Sequence, residues 1–197
     1  MAMATQIIVS QTNEDYTSEI NNERKLKNQQ MSNQQTSPLT PSELENFTSL
    51  DYYPVDSKYI FEGQLNASDT QETVNLDATN GSTLELSRYG TVTFTFERNQ
   101  YTLTLYRNNN LPEFTDKPDQ LFIPFSDLTT GVETNDNGRY LAVNLVQGSN
   151  TVTLDFNKAF NPYSAYNTQY VSVLPPSHNN LSFSIVSGER KYEHREK

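Results

Sequence analysis

The run TVTFTFERNQYTLTLYR, from Thr91 to Arg107, constrains the fold more than any other part of the chain. Val92, Phe94 and Phe96 alternate with threonines, and Tyr101, Leu103 and Leu105 repeat the pattern after a polar break. A period of two puts apolar side chains on one face of a strand and threonines on the other. Two such runs in succession predict a hairpin, with Arg98-Asn99 at the turn and asparagine taking the positive φ that a tight turn needs. The same period starts at Tyr59 with Phe61, Gly63 and Leu65. Further strands are expected at QLFIPF, RYLAVNLV and TVTLDF, around QYVSVL, and at LSFSIV. Threonine on the wet side implies an antiparallel sheet with one face in water. The fold class is therefore mostly β: an antiparallel β-sandwich or open β-barrel with a short N-terminal helical arm.

Helix signals are confined to the front. Residues 1–36 are polar and read as an arm, partly helical or disordered, with Tyr16, Ile20, Lys27 and Met31 on a rough helical face. The NQQMSNQQ run that ends this arm reads as linker. In SPLTPSELENF, Thr40, Pro41 and Glu43 make a capping box with proline at the first helical position, so a short helix presents Leu44 and Phe47 to a core. Residues 37–190 form the β domain, interrupted by an irregular connection at LPEFTDKPDQ, and residues 191–197 are a charged tail. The 34% hydrophobic content is low, but twelve Tyr and ten Phe supply large buried surfaces.

Charge narrows the function. A net charge of −10 argues against a nucleic-acid partner, because that affinity rests on clustered Lys and Arg. The chain has no cysteine, so disulfides, thiolate catalysis and zinc–thiolate sites are ruled out. The amino terminus lacks a basic n-region and a long apolar run, and a cytoplasmic location is expected. No apolar stretch approaches membrane-spanning length, so no membrane partner is expected. Phosphate-binding glycine loops are absent, and neither a cofactor nor a metal is assigned.

Three segments carry a resemblance. The runs LFIPFSDLTTGVETNDNGRYL, VTLDFNKAFNPYSAYN and LPPSHNNLSFSIVSGE resemble the signature of a prokaryotic family, domain of unknown function 1684. Glu23-Arg24, Ser37-Pro38-Leu39, Phe47 and Tyr53-Pro54 fit it too, so the similarity spans about Glu23 to Glu189. The resemblance implies a β-rich domain and supplies no function. It also implies cysteines where this chain has Ser164 and Ser172, a proline at Val173, a tyrosine at Asn135 and an acid at His178. Replacement of both cysteines together fits a pair acting jointly in relatives, as a bridge or a metal clip.

Read for chemistry, the candidates cluster in these same runs. Val152, Leu154 and Phe156 should face the core, leaving Asp155 and Asn157 on the other side. That pair either frames a pocket or bonds the backbone of the irregular segment that follows. DLTTGVETNDNGRY holds Asp127, Glu133 and Asp136 but lacks the calcium-loop arrangement. Arg139 either clamps a neighbouring acid or receives an anion. A serine–histidine triad would need His178 with Ser164, Ser172 or Ser177, and no G-x-S-x-G elbow exists. The expectation is that the 127–134 loop, Arg139, the DFN exit and PPSHNN converge at one end of the sheet. The proposed ligand-binding or structural network is Asp127, Thr129, Glu133, Arg139, Asp155, Asn157, Asn161, Tyr163, Asn167, Asn179 and Glu189. It suits a non-catalytic domain binding a small polar ligand or a peptide. The alternatives are a thiol-free hydrolase using carboxylates such as Asp155 with Glu133, with or without a divalent cation, and a protein–protein adaptor working through a strand edge.

Overall fold

The alternating runs pair as strands in the structure, a computed structural model that describes residues 2–108, 111–114 and 120–194, without the side chains of residues 2–12 and 71. Strands β1 (Ile60–Asp77), β2 (Thr83–Phe96), β3 (Asn99–Arg107), β4 (Leu121–Phe125), β5 (Arg139–Val143) and β6 (Thr151–Asp155) make one sheet in the order β5-β4-β3-β2-β1-β6. Every neighbouring pair is antiparallel. The sheet curls into a half-barrel, so the open barrel is the architecture observed, with no second sheet among the described residues.

Alternation decides what lies inside. Phe61, Val92, Phe94, Leu103, Leu105, Ile123, Leu141, Val152, Leu154 and Phe156 fill the concave core. The opposite face is only partly wet. Thr93 and Thr102 face water there, and their hydroxyls meet at 3.0 Å. Farther along, Tyr106, Phe122 and Tyr140 are covered by Leu111, Phe114, Phe160 and Val173 in a second cluster. That cover explains why all five residues of β4 are buried rather than alternate ones.

Three expectations change. The β2–β3 turn is Glu97-Arg98, both at positive φ (46° and 68°), and Asn99 already belongs to β3. The segments QYVSVL and LSFSIV are not strands. The first makes a single bridge, Val173 to Ala78, before two prolines remove its donors. The second is held by buried side chains, described below. Of the irregular connection, Pro112–Phe114 is a 3₁₀ turn and residues 115–119 lie outside the described residues, as do tail residues 195–197.

Helix α1 (Ala2–Met31) runs unbroken through NQQM, which joins the helix rather than a linker. Its stability comes from docking: Ile20 and Met31 are buried against the domain. Helix α2 (Pro41–Asn46) starts at the expected cap, with Thr40 Oγ1 accepting from Glu43 N–H at 3.3 Å. Glu43 does not return the bond; its Oε1 meets His194 Nδ1 at 2.9 Å. Met31, Leu39, Leu50 and Tyr166 form the core between these helices and the barrel, joined by Leu44 and Phe47. None of the described helices is long and apolar enough to cross a membrane.

Candidate functional site

Arg139, at the start of β5, is one of the largest fully buried side chains. Its Nη2 donates to Asp127 Oδ2 at 3.0 Å and to the Ile185 carbonyl at 2.9 Å. Its Nη1 donates to the carbonyls of Ser187 and Glu189. Asp127 Oδ1 accepts from Thr129 N–H and Oγ1 and from Ile185 N–H. The segment Ile185–Glu189 thus has its backbone answered by an arginine and an aspartate where a strand would use a neighbouring ladder. Burial lowers the Arg139 pKa, and the facing Asp127 opposes that shift.

The DFN exit joins the same segment from the other side. Asn157 spends its whole amide: Nδ2 donates to the Asp56 carbonyl and Asp155, and Oδ1 accepts from Asp56 N–H and the Ser187 hydroxyl. Asp155 caps the 3₁₀ turn Phe156–Lys158 and accepts the Tyr16 hydroxyl at 2.8 Å from each oxygen. Gly188 makes the close passage feasible. It sits at φ 77°, and a Cβ there would lie 2.7 Å from the carbonyl oxygens of both Phe156 and Ala159.

Glu189 ends the segment, 1% exposed. Its carboxylate accepts from Asn161 Nδ2 at 2.8 Å, from Asn161 N–H, from the Tyr166 hydroxyl and from Lys27 Nζ at 2.7 Å. Glu133 stands at the rim, exposed, taking the Tyr53 hydroxyl at 3.1 Å. Burial first, then that carboxylate, push the Tyr53 pKa up to about 12.

Asp127, Arg139, Asn157, Asn161 and Glu189 therefore meet along one segment, with Thr129 bonded to Asp127, Asp155 to Asn157, and Glu133 linked to it through Tyr53. Three other candidates sit apart from it. Asn179 lies in the seam between β3 and β4, bonding Thr104 N–H and carbonyl and the Pro124 carbonyl. It replaces ladder bonds where those strands have splayed, since their paired residues are Tyr106 with Phe122 and Arg107 with Leu121. Asn167 holds the Pro38 carbonyl at 3.0 Å. Tyr163 donates its N–H to Glu113 Oε1, which also accepts the Ser172 hydroxyl. Ser164 and Ser172, the positions of the cysteines implied by the family resemblance, are neighbours: Ser164 N–H reaches Ser172 Oγ at 3.3 Å. His178 is exposed and contacts the Tyr106 hydroxyl at 3.1 Å, with no serine among its hydrogen-bond partners.

Sequence reasoning missed Glu113, Asp56, Tyr166 as a ligand of Glu189, and the roles of Tyr16, Arg24 and Lys27. Arg24 Nη1 donates to the Tyr53 carbonyl at 3.0 Å, and its guanidinium lies 4.6 Å over the Tyr52 ring. The available signal was the spacing of four from Tyr16 through Ile20 to Arg24, which fixes one helix face.

A groove of about 430 Å³ opens beside this network, lined by Phe47–Asp51, Val132, Glu133 and Glu189–Glu193. A hollow of about 480 Å³ lies across β1, β2, β3 and β6, but it is shallow and walled by Glu62, Gln64, Thr93, Thr95 and Gln100, away from the network.

Comparison with solved structures finds the solution NMR structure of the uncharacterized protein from gene locus rrnAC0354 of Haloarcula marismortui, 29% identical, at a TM-score of 0.67. The alignment covers 91% of this chain and 96% of that one. No curated protein matches. The family model described as "Protein of unknown function (DUF1684)" matches residues 45–190, which takes in the clamp, the DFN exit and Glu189, and the chain belongs to that family.

Proposed function

We propose that this chain is a non-catalytic binding domain that takes a small polar ligand or a short peptide in the groove beside the Ile185–Glu189 segment. The groove itself carries the proposal. Its volume of about 430 Å³ suits a small molecule, and its rim offers both signs of charge, Asp51 and Glu133 against Arg190 and Lys191. Val132, 75% exposed, adds an apolar contact at the edge. The acids that a hydrolase would need are already engaged. Asp155 is held by Tyr16 and Asn157 N–H, Glu189 by four donors, and Glu133 by Tyr53. Such an arrangement favours rigidity around a recognition surface over acid–base chemistry.

The test is a ¹⁵N-labelled titration with a metabolite set and with short charged peptides. We expect shift changes confined to residues 47–51, 132–133 and 189–193. Lys191→Ala should weaken them while leaving the thermal midpoint nearly unchanged, because Lys191 is a surface residue whose exposed pair with Asp136 contributes little. Shifts centred on the threonine face of the sheet, or none from any compound, would overturn the proposal.

A further inference from the structure

Helix α1 is too polar for its docking to rest on apolar burial alone, and one of its contacts has the form of a bound ligand. Lys27 Nζ lies 2.7 Å from Glu189 Oε2, 4.8 Å over the centre of the Phe160 ring and 5.9 Å from that of Tyr166. Lys27 is 25% exposed and Glu189 only 1%. The rest of the carboxylate is satisfied by the barrel itself, through Asn161 N–H, Asn161 Nδ2 and the Tyr166 hydroxyl. Without Lys27 the domain would still hold an oriented, desolvated carboxylate flanked by two ring faces. Those are the groups by which proteins recognise an alkylammonium ion.

The pocket also has unused capacity. Asn161 is fully buried, and its Oδ1 accepts no hydrogen bond from the described residues. The Tyr52 hydroxyl, on the residue bridged to Glu189, is likewise buried and has no hydrogen-bond partner among the described residues. An ammonium group has three N–H donors, and Lys27 directs a single one to Glu189.

We infer that the Glu189 pocket is a binding site for a primary alkylammonium group, with Lys27 as a ligand built into the chain. Helix α1 plugs the site, and a linear amine can replace the lysine when Lys27 is absent. This inference does not depend on a ligand in the neighbouring groove.

The experiment uses full-length Lys27→Ala protein with n-butylammonium chloride as the probe. Lys27→Ala should melt below the native protein. Butylammonium at about ten times its Kd should raise the variant's Tm by roughly 3 °C. The native protein and Lys27→Ala/Glu189→Gln should show no rise, and neither n-butanol nor tetramethylammonium should substitute. An equal rise in native protein, or none in Lys27→Ala, overturns the inference. If Lys27→Ala does not fold, the native protein decides the matter by ¹⁵N NMR of its lysine ammonium groups. Lys27 should then give a slowly exchanging signal that Glu189→Gln removes; exchange as fast as that of the surface lysines overturns the inference.

Discussion

Arg139 replaces hydrogen bonds that a strand would have supplied. Four of its contacts fall on the Ile185–Glu189 segment and Asp127, all shielded from water. Arg139→Met would strand the buried Asp127 and three carbonyls, at an expected cost of about 3–5 kcal/mol in urea denaturation. A loss under about 1 kcal/mol would show that the clamp is not what holds the segment. Glu113 behaves differently. Burial lifts its pKa above the ordinary 4.5, and bonds from Tyr163 N–H and Ser172 only partly restrain the shift. The folded state therefore binds more protons than the unfolded one between 4.5 and that raised value. Stability falls as pH rises through the window and stays lower above it. Glu113→Gln should raise the melting temperature at pH 8, with the gain vanishing below about pH 4. An equal gain at both pH values would mean that charge is not the cause.

At the scale of elements, the β2–β3 hairpin shows what was legible. The alternation of Val92, Phe94, Leu103 and Leu105 gave both strands and their buried face, because that pattern is local. The turn lies one residue before the expected Arg98-Asn99, since Glu97 and Arg98 adopt positive φ against their preference while Asn99 does not. Glu97→Asn with Arg98→Gly should relieve that strain, stabilising the protein by about 1–2 kcal/mol in thermal or chemical denaturation. No gain would mean that the flanking register tolerates the strain. The LSFSIV and QYVSVL segments depart from the strand expectation for a different reason. They carry strand-like composition, but Arg139 and Asp127 bond the first of them from distant parts of the chain. No local pattern reveals such a partner. Arg139 and Asp127 could still be named as candidates because they stand in a motif-bearing run, whereas Glu113 and Lys27 lie outside those runs.

Over the whole molecule, the matched family region begins at residue 45, yet the polar network within it reaches back to α1 through Tyr16, Arg24 and Lys27. The polar composition of α1 predicts an arm that is only partly helical or disordered, yet the helix runs from Ala2 to Met31. Its order comes from surfaces that only the folded barrel creates. The network is continuous from Thr129 through Arg139 and Ser187 to Asn157, and from Glu189 to Lys27. The groove used in the proposed function borders this rigid ground. A peptide or small molecule bound as proposed would draw on that stiffness, because a preorganised rim loses less freedom on binding.

The segment from Ile185 to Glu189 is synthesised after every strand of the sheet. On a translating ribosome the six strands can emerge and pair while Arg139 and Asp127 still lack the carbonyls and amide that satisfy them. The nascent barrel would then carry an open seam until that segment leaves the exit tunnel.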